Sequence, residues 1–114
     1  LGKLGEQVAA EFLQAKGYEI LECNWRHSRA EIDIIARLGE ILVVVEVKSR
    51  LTDEFAEPAS TVSRSQMTRL ADAFAHYADE KNYLGEYRFD VIGVVFFDPH
   101  APEIKHYEDA FFPY

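Results

Sequence analysis

Several acids and one lysine occupy positions where a buried strand is normally apolar. Glu31 and Asp33 lie among three isoleucines, and Glu46 and Lys48 follow the apolar run at residues 41–45. Carboxylates gathered in one place repel each other, and burying a charge without a partner is costly. A Mg²⁺ or Mn²⁺ ion offsets both penalties and prefers oxygen ligands. The pattern therefore predicts a metal site with Asp33 and Glu46 as ligands.

The expected hairpin between the two acidic segments brings these carboxylates onto one face. A two-residue turn at residues 38–39 places Asp33 opposite Val44, and Glu46 is then a diagonal neighbour, with Cα atoms ~7–8 Å apart. Because side chains alternate along a strand, a register change of one residue puts the two acids on opposite faces. The predicted site thus depends on the hairpin register.

Lys48 lies two residues beyond Glu46 and therefore points to the same side of the strand. An ammonium group there can orient or activate a water molecule, and phosphodiester hydrolysis at a metal needs few other groups. The simpler alternative is a surface hairpin in which Glu46 forms salt bridges with Lys48 or Arg50. Spacing alone leaves both interpretations open.

The elements that position these residues follow from periodicity and from turn residues. The order is α-β-β-β-α-β-β, which predicts an α/β fold with a mixed β-sheet flanked by helices. The apolar third strand is expected at the centre of the sheet, and residues 52–60 read as an exposed loop. The expected helices are 3–16 and 63–81, and the expected strands are 18–25, 29–37, 41–48, 87–97 and 103–107.

Composition limits the classes of protein to consider. With 114 residues, of which 48% are hydrophobic, the chain is expected to be a single globular domain. No apolar run approaches the ~20 residues of a membrane span, and no signal-peptide pattern opens the chain. The single cysteine, Cys23, is expected to be a buried thiol in a reducing compartment. A cytoplasmic protein is therefore expected.

The net charge of −8 argues against nucleic-acid binding, but its distribution weakens that argument. From residue 70 onward there are nine acids and three bases, whereas residues 26–69 contain seven of each. Three acids of that central segment are candidate metal ligands, so a bound cation would leave the segment net positive. Phosphate contacts are therefore expected from Arg26, Arg29, Arg50, Arg64 and Arg69.

Other conspicuous side chains carry weaker signals. The histidines at 27, 76, 100 and 106 have no metal-ligand spacing, which disfavours a zinc site. Most aromatic residues fall at core spacing, and the terminal aromatic cluster is expected either to dock on its own core or to form an oligomer contact. The predicted core aromatics are Phe74, Tyr77, Phe89, Phe96 and Phe97, and the terminal cluster is Phe111, Phe112 and Tyr114.

Asp33 followed by Glu46-Val47-Lys48 resembles the Asp…Glu-x-Lys signature of the restriction-endonuclease-like nuclease superfamily. More narrowly, the chain resembles the YraN-like family of small bacterial proteins, which is similar in fold to archaeal Holliday-junction resolvases. The motifs that carry this resemblance are Gly5-Glu6, Gly17-Tyr18, Asn24-Trp25-Arg26, Glu31-Ile32-Asp33, Val45 to Arg50, and Arg88-Phe89-Asp90-Val91.

The resemblance implies one restriction-endonuclease-like domain over residues 1–114. It implies a metal-dependent endonuclease that hydrolyses DNA phosphodiester bonds, on branched or structured DNA, with Mg²⁺ or Mn²⁺ as cofactor. Asp33 and Glu46 become metal ligands, Lys48 the catalytic lysine, and Glu6 an additional catalytic acid. A homodimer is expected, because cutting both strands of a structured substrate needs two active sites.

Two departures from the family pattern keep an alternative open. The family usually has Gly where this chain has Ala30, and Gly permits backbone geometry that Ala restricts. It usually has Lys where this chain has Gln66, so the expected nucleic-acid contact at this position has no positive charge. With the acidic surface, these departures favour a non-catalytic nucleic-acid-binding or protein-interaction module on the same fold.

Overall fold

The computed structural model describes residues 2–51, 62–98 and 100–111. The order of elements predicted from the sequence is confirmed, with small shifts at the ends of the strands. The predicted loop at residues 52–60 lies outside the described residues. The elements are α1 (Gly2–Ala15), β1 (Glu19–His27), β2 (Ala30–Leu38), β3 (Ile41–Arg50), α2 (Arg64–Glu80), β4 (Tyr87–Val95) and β5 (Glu103–Tyr107).

The five strands form one mixed sheet in the order β1-β2-β3-β4-β5, with β3 at its centre as predicted. β3 and β4 are parallel, and the other neighbours are antiparallel. Parallel neighbours need a long crossover connection, and α2 lies in that connection. The sequence therefore gives a mixed α/β fold with two helices and a five-stranded sheet.

The two helices cover opposite faces of the sheet, and β3 contributes to both cores by alternation. Val44 packs with Leu70 and Phe74 in the core beneath α2. Val43 and Val45 pack with Ala9, Leu13 and Ile92 in the core beneath α1. By the same alternation, Glu46 and Lys48 point to the α2 side of the sheet.

Short-range signals define where the helices begin and end. Gly17 has φ +94°, the left-handed conformation that glycine adopts easily after a helix. Ser63 caps α2: its hydroxyl accepts a hydrogen bond from the Gln66 backbone N–H, and the Gln66 side chain accepts one from the Ser63 N–H. This reciprocal pair is a capping box.

Two expectations about individual side chains are wrong. Cys23 is exposed, because it lies on the edge strand β1. Phe97 is 57% exposed, because β4 ends at Val95 and the chain bends away from the sheet at Phe97 and Asp98. Phe111 docks on the chain's own core against Phe89; Phe112 and Tyr114 lie outside the described residues.

Within the described ranges, neither helix combines the length and hydropathy needed to cross a membrane.

Candidate functional site

The register of the β2–β3 hairpin differs from the predicted one by two residues. Leu38 pairs with Ile41, so the turn is Gly39–Glu40, and Ile34 pairs with Val45. The predicted placement of Asp33 opposite Val44 is therefore wrong. Gly39 has φ +60°, and a turn with glycine in this conformation at its first central position suits a two-residue hairpin. A shift of two residues preserves the faces, so Asp33 lies level with Glu46 rather than diagonal to it.

The site lies where β2 and β3 separate. The last paired residues are Ile34 and Val45, and the two acids, Asp33 and Glu46, are the next residues beyond that pair. Beyond that point the backbone N–H of Val47 donates to Asp33 Oδ2 at 2.8 Å. Ile32 and Ile34 belong to opposite cores, although side chains two residues apart normally share a face. The alternation of β2 therefore breaks at Asp33.

The carboxyl groups of Asp33 and Glu46 form a half-buried pair. Burial raises the pKa of Asp33 to about 8, the charge of Glu46 adds to that rise, and the hydrogen bond from Val47 opposes it. Burial also raises the pKa of Glu46. The pKa values of both acids are therefore raised, and burial is the largest cause for each. Two carboxylates close together each disfavour the charged form of the other.

Asn24 links two further acids to each other near this pair. Its amide nitrogen donates to Glu6 Oε1 at 2.8 Å and to Glu31 Oε1 at 2.9 Å. Asn24 has φ +52°, a conformation that Asn tolerates better than most residues. The negative charges of Glu6 and Glu31 raise the pKa of Glu46. The bridging role of Asn24 was not predicted; a polar residue within an otherwise β-prone stretch was its only signal.

Glu6 lies near enough to raise the pKa of both acids but lines a separate pocket with Cys23 and Asn24, where α1 lies very close to the sheet. A Cβ atom built on Gly5 would lie 1.7 Å from Ser49 Oγ and 3.0 Å from Ser49 Cβ. Only glycine allows this approach. The Gly5-Glu6 pair thus combines a contact that docks the helix with an acid that the contact delivers to Asn24.

A polar cleft of about 310 Å³ opens between these strands and α2. It contains both central acids and three of the six residues predicted to bind nucleic acid, whereas Arg26, Arg50 and Arg64 lie outside it. Arg26 instead forms an ion pair with Glu31 at 3.3 Å. The residues lining the cleft are Arg29, Ala30, Glu31, Asp33, Glu46, Gln66, Arg69 and Leu70.

The two departures from the family pattern have local explanations in this cleft. Ala30 is half-buried against the α2-side core and is not among the residues with positive φ, so its backbone does not require glycine. Gln66 occupies the third position of the capping box, where its amide oxygen accepts from Ser63. Lysine has no acceptor atom and cannot fill that role.

Lys48 lies on the same face as Glu46, level with Gly93 of β4. Its positive charge lowers the pKa of Glu46, opposing the effect of burial and of the surrounding acids. Lys48 does not line the cleft. The acid pair therefore has Arg29 and Arg69 on its open side and Lys48 along β3.

Comparison with known sequences assigns this chain to a protein family. The model of the uncharacterised protein family UPF0102 matches residues 5–94. The chain belongs to this family. A UPF0102 protein of Christiangramia forsetii is 45% identical over 112 residues, covering 98% of this chain and 93% of the relative. UPF0102 proteins of Thermodesulfovibrio yellowstonii and Clostridium perfringens are 40% and 42% identical, again over nearly the full length of both chains.

The donor set of this UPF0102 chain suits a partly hydrated divalent cation. Within residues 2–51, 62–98 and 100–111, no three His, Cys, Asp or Glu side chains are arranged to hold a metal by themselves. Asp33 and Glu46 nevertheless offer two half-buried carboxylates that line an open polar cleft. Mg²⁺ is commonly held by one or two carboxylates, with water and substrate phosphate completing the shell. The residues present therefore fit this kind of ion.

Proposed function

We propose that the protein is a metal-dependent endonuclease that hydrolyses DNA phosphodiester bonds, with a restriction-endonuclease-like fold. The observation that carries this proposal is the half-buried pair Asp33 and Glu46, which lines one cleft together with Arg29 and Arg69. Two acids that repel each other are unfavourable for the metal-free fold, and a divalent cation relieves that repulsion. Arginines beside them supply the charge that a phosphate group needs.

Each residue of the site has a proposed role that depends on its position. Asp33 and Glu46 would hold Mg²⁺ or Mn²⁺, which when bound stabilises charge on phosphoryl oxygens and lowers the pKa of water. Lys48, on the face of Glu46, donates hydrogen bonds that orient the attacking water. Glu6 acts through Asn24, whose hydrogen bonds hold it beside the acid pair. These roles follow the Asp…Glu-x-Lys resemblance of the sequence.

The acidic surface limits how DNA is bound. The cleft presents Arg29 and Arg69, while Arg50 and Arg64 lie beyond it at the ends of β3 and α2. Few phosphate contacts on a chain of charge −8 give weak affinity with a shallow salt dependence, ~0.9 per contact in the log–log slope. A homodimer doubles the basic surface and supplies two sites for two strands. Light scattering of the purified chain measures that stoichiometry.

The proposal is tested by cleavage of a four-way junction, a linear duplex and a single strand, each end-labelled, in Mn²⁺ or in EDTA. We expect Mn²⁺-dependent cleavage that falls ~10²-fold or more in Glu46→Gln, a substitution that keeps the shape of the side chain and removes its charge. Asp79→Asn, an exposed substitution on α2, is the matched control and should cleave like the wild type.

Two results would contradict the nuclease proposal. Cleavage that survives Glu46→Gln or EDTA places the activity outside this cleft. Binding of DNA without cleavage in Mn²⁺ supports the alternative of a non-catalytic nucleic-acid-binding module. The hydrogen bond from Val47 to Asp33 supports that alternative, because it gives the carboxyl group a structural role without chemistry.

A further inference from the structure

A second cleft, of about 300 Å³, adjoins the acidic one. Its walls are the turn between β1 and β2, with His27 and Arg29, and the middle of α2, with Arg69, Asp72 and His76. Arg29 and Arg69 line both clefts, so the two spaces meet at these arginines. The volume lies at the lower end of the range for small-molecule sites.

Flat aromatic surfaces stand at this second cleft. The rings of His27 and His76 are stacked with centroids 3.7 Å apart and planes inclined by 22°. His27 is also stacked on Trp25 at 6.2 Å and 11°, and Trp25 contacts the buried Tyr77 edge-on at 5.3 Å. The column Trp25–His27–His76 therefore starts at the core and ends in solvent, where both histidines are exposed.

The outer end of this column is available for a ligand. Within the described residues, His76 has no ring contact other than the one with His27. Asp72, one turn before His76 on α2, adds a carboxylate at the same wall. A flat ring face, a hydrogen-bond acceptor and two arginines are the groups that recognise a nucleotide: stacking for the base, an acceptor for its amino or imino N–H, and cations for its phosphate.

We propose that this second cleft binds one unpaired nucleotide of a DNA substrate, with its base on the His76 face and its phosphate at Arg29 and Arg69. The inference rests on the proposed function and gives it a substrate class. A base inside a duplex has both faces covered by its neighbours and its edge paired, so it cannot enter. The protein therefore prefers DNA with an unpaired nucleotide beside the scissile phosphate over continuous duplex.

The test measures binding without cleavage, by anisotropy of a labelled dT12 strand and of a blunt 12-base-pair duplex, in Ca²⁺ and in EDTA. His76→Ala should weaken dT12 binding ~5- to 150-fold, the range for loss of one base–aromatic stack, and leave duplex binding within ~2-fold. His76→Phe keeps a ring face and should restore most of the dT12 affinity. His100→Ala changes an exposed histidine in a distant turn and should have no effect.

Trp25 provides a second readout, because it is the only tryptophan of the chain and begins the stacked column. Its emission should change when dT12 binds and not when the duplex binds. Equal losses of dT12 and duplex affinity in His76→Ala, no loss at all, or wild-type protein that fails to bind dT12 would each overturn the inference. Selective dT12 binding without Mn²⁺-dependent cleavage would refute the nuclease activity but would still support nucleotide binding in the second cleft.

Discussion

Replacing Asp33 with Asn should stabilise the metal-free protein, and the gain should grow with pH. The pKa of Asp33 is raised to about 8 by burial and by Glu46, against ~3.9 in an unfolded chain. A carboxyl group whose folded pKa is raised contributes fully to stability below its unfolded pKa. It loses that contribution as the pH rises through the folded value. The window for this site is therefore about pH 4 to pH 8.

The size of the effect follows from the same shift. One pKa unit corresponds to ~1.4 kcal/mol, so about four units set an upper limit of ~6 kcal/mol. The cleft opens to solvent, and water screens the pair, which lowers the expected gain at pH 8 to ~1–3 kcal/mol. The amide oxygen of Asn can still accept the hydrogen bond that Val47 now donates to Asp33. The substitution thus removes the repulsion and keeps the contact.

Urea denaturation in EDTA at pH 5, 7 and 8 measures this prediction. The advantage of Asp33→Asn should increase across the series, and Asp79→Asn should change stability by less than ~0.5 kcal/mol at each pH. Asp33→Ala leaves the Val47 N–H without its partner and should cost ~1–3 kcal/mol relative to Asn. Mn²⁺ should raise the melting temperature of the wild type only, since it binds the native pair. Lower stability of Asp33→Asn at pH 8 would refute the repulsion argument.

Two further predictions concern the contacts that hold the site and its sheet. Gly5→Ala should lower the free energy of unfolding by ~1–3 kcal/mol, because its Cβ would lie 1.7 Å from Ser49 Oγ. Adding Ser49→Gly to that variant should restore its stability. Gly2→Ala is the control, because a Cβ there meets open space and should not destabilise the protein. Asp90→Asn should lower the free energy of unfolding, measured by urea denaturation, by ~3–5 kcal/mol. The reason is that the buried Asp90 carboxylate accepts two hydrogen bonds from Arg88, at 2.8 and 2.9 Å. Unchanged stability would contradict this role.

The sequence by itself determined the order of the elements and the central position of β3. These features depend on neighbouring residues: Gly17 takes the positive φ that ends α1, and Ser63 satisfies the first free N–H groups of α2. The apolar run at residues 41–45 predicts a strand that is covered on both faces. Alternation also predicted Asp33 and Glu46 on one face; both line the same cleft, although the predicted register was wrong by two residues and the alternation of β2 breaks at Asp33.

Only the tertiary structure decided how the strands meet at the site. The separation of β2 from β3 gives Asp33 its bond to Val47, and Asn24 joins Glu6 to Glu31 across elements far apart in the chain. The exposure of Cys23 likewise depends on its edge strand. Local sequence cannot specify these features, because periodicity fixes which face a side chain occupies, whereas packing between distant segments fixes which groups it meets there.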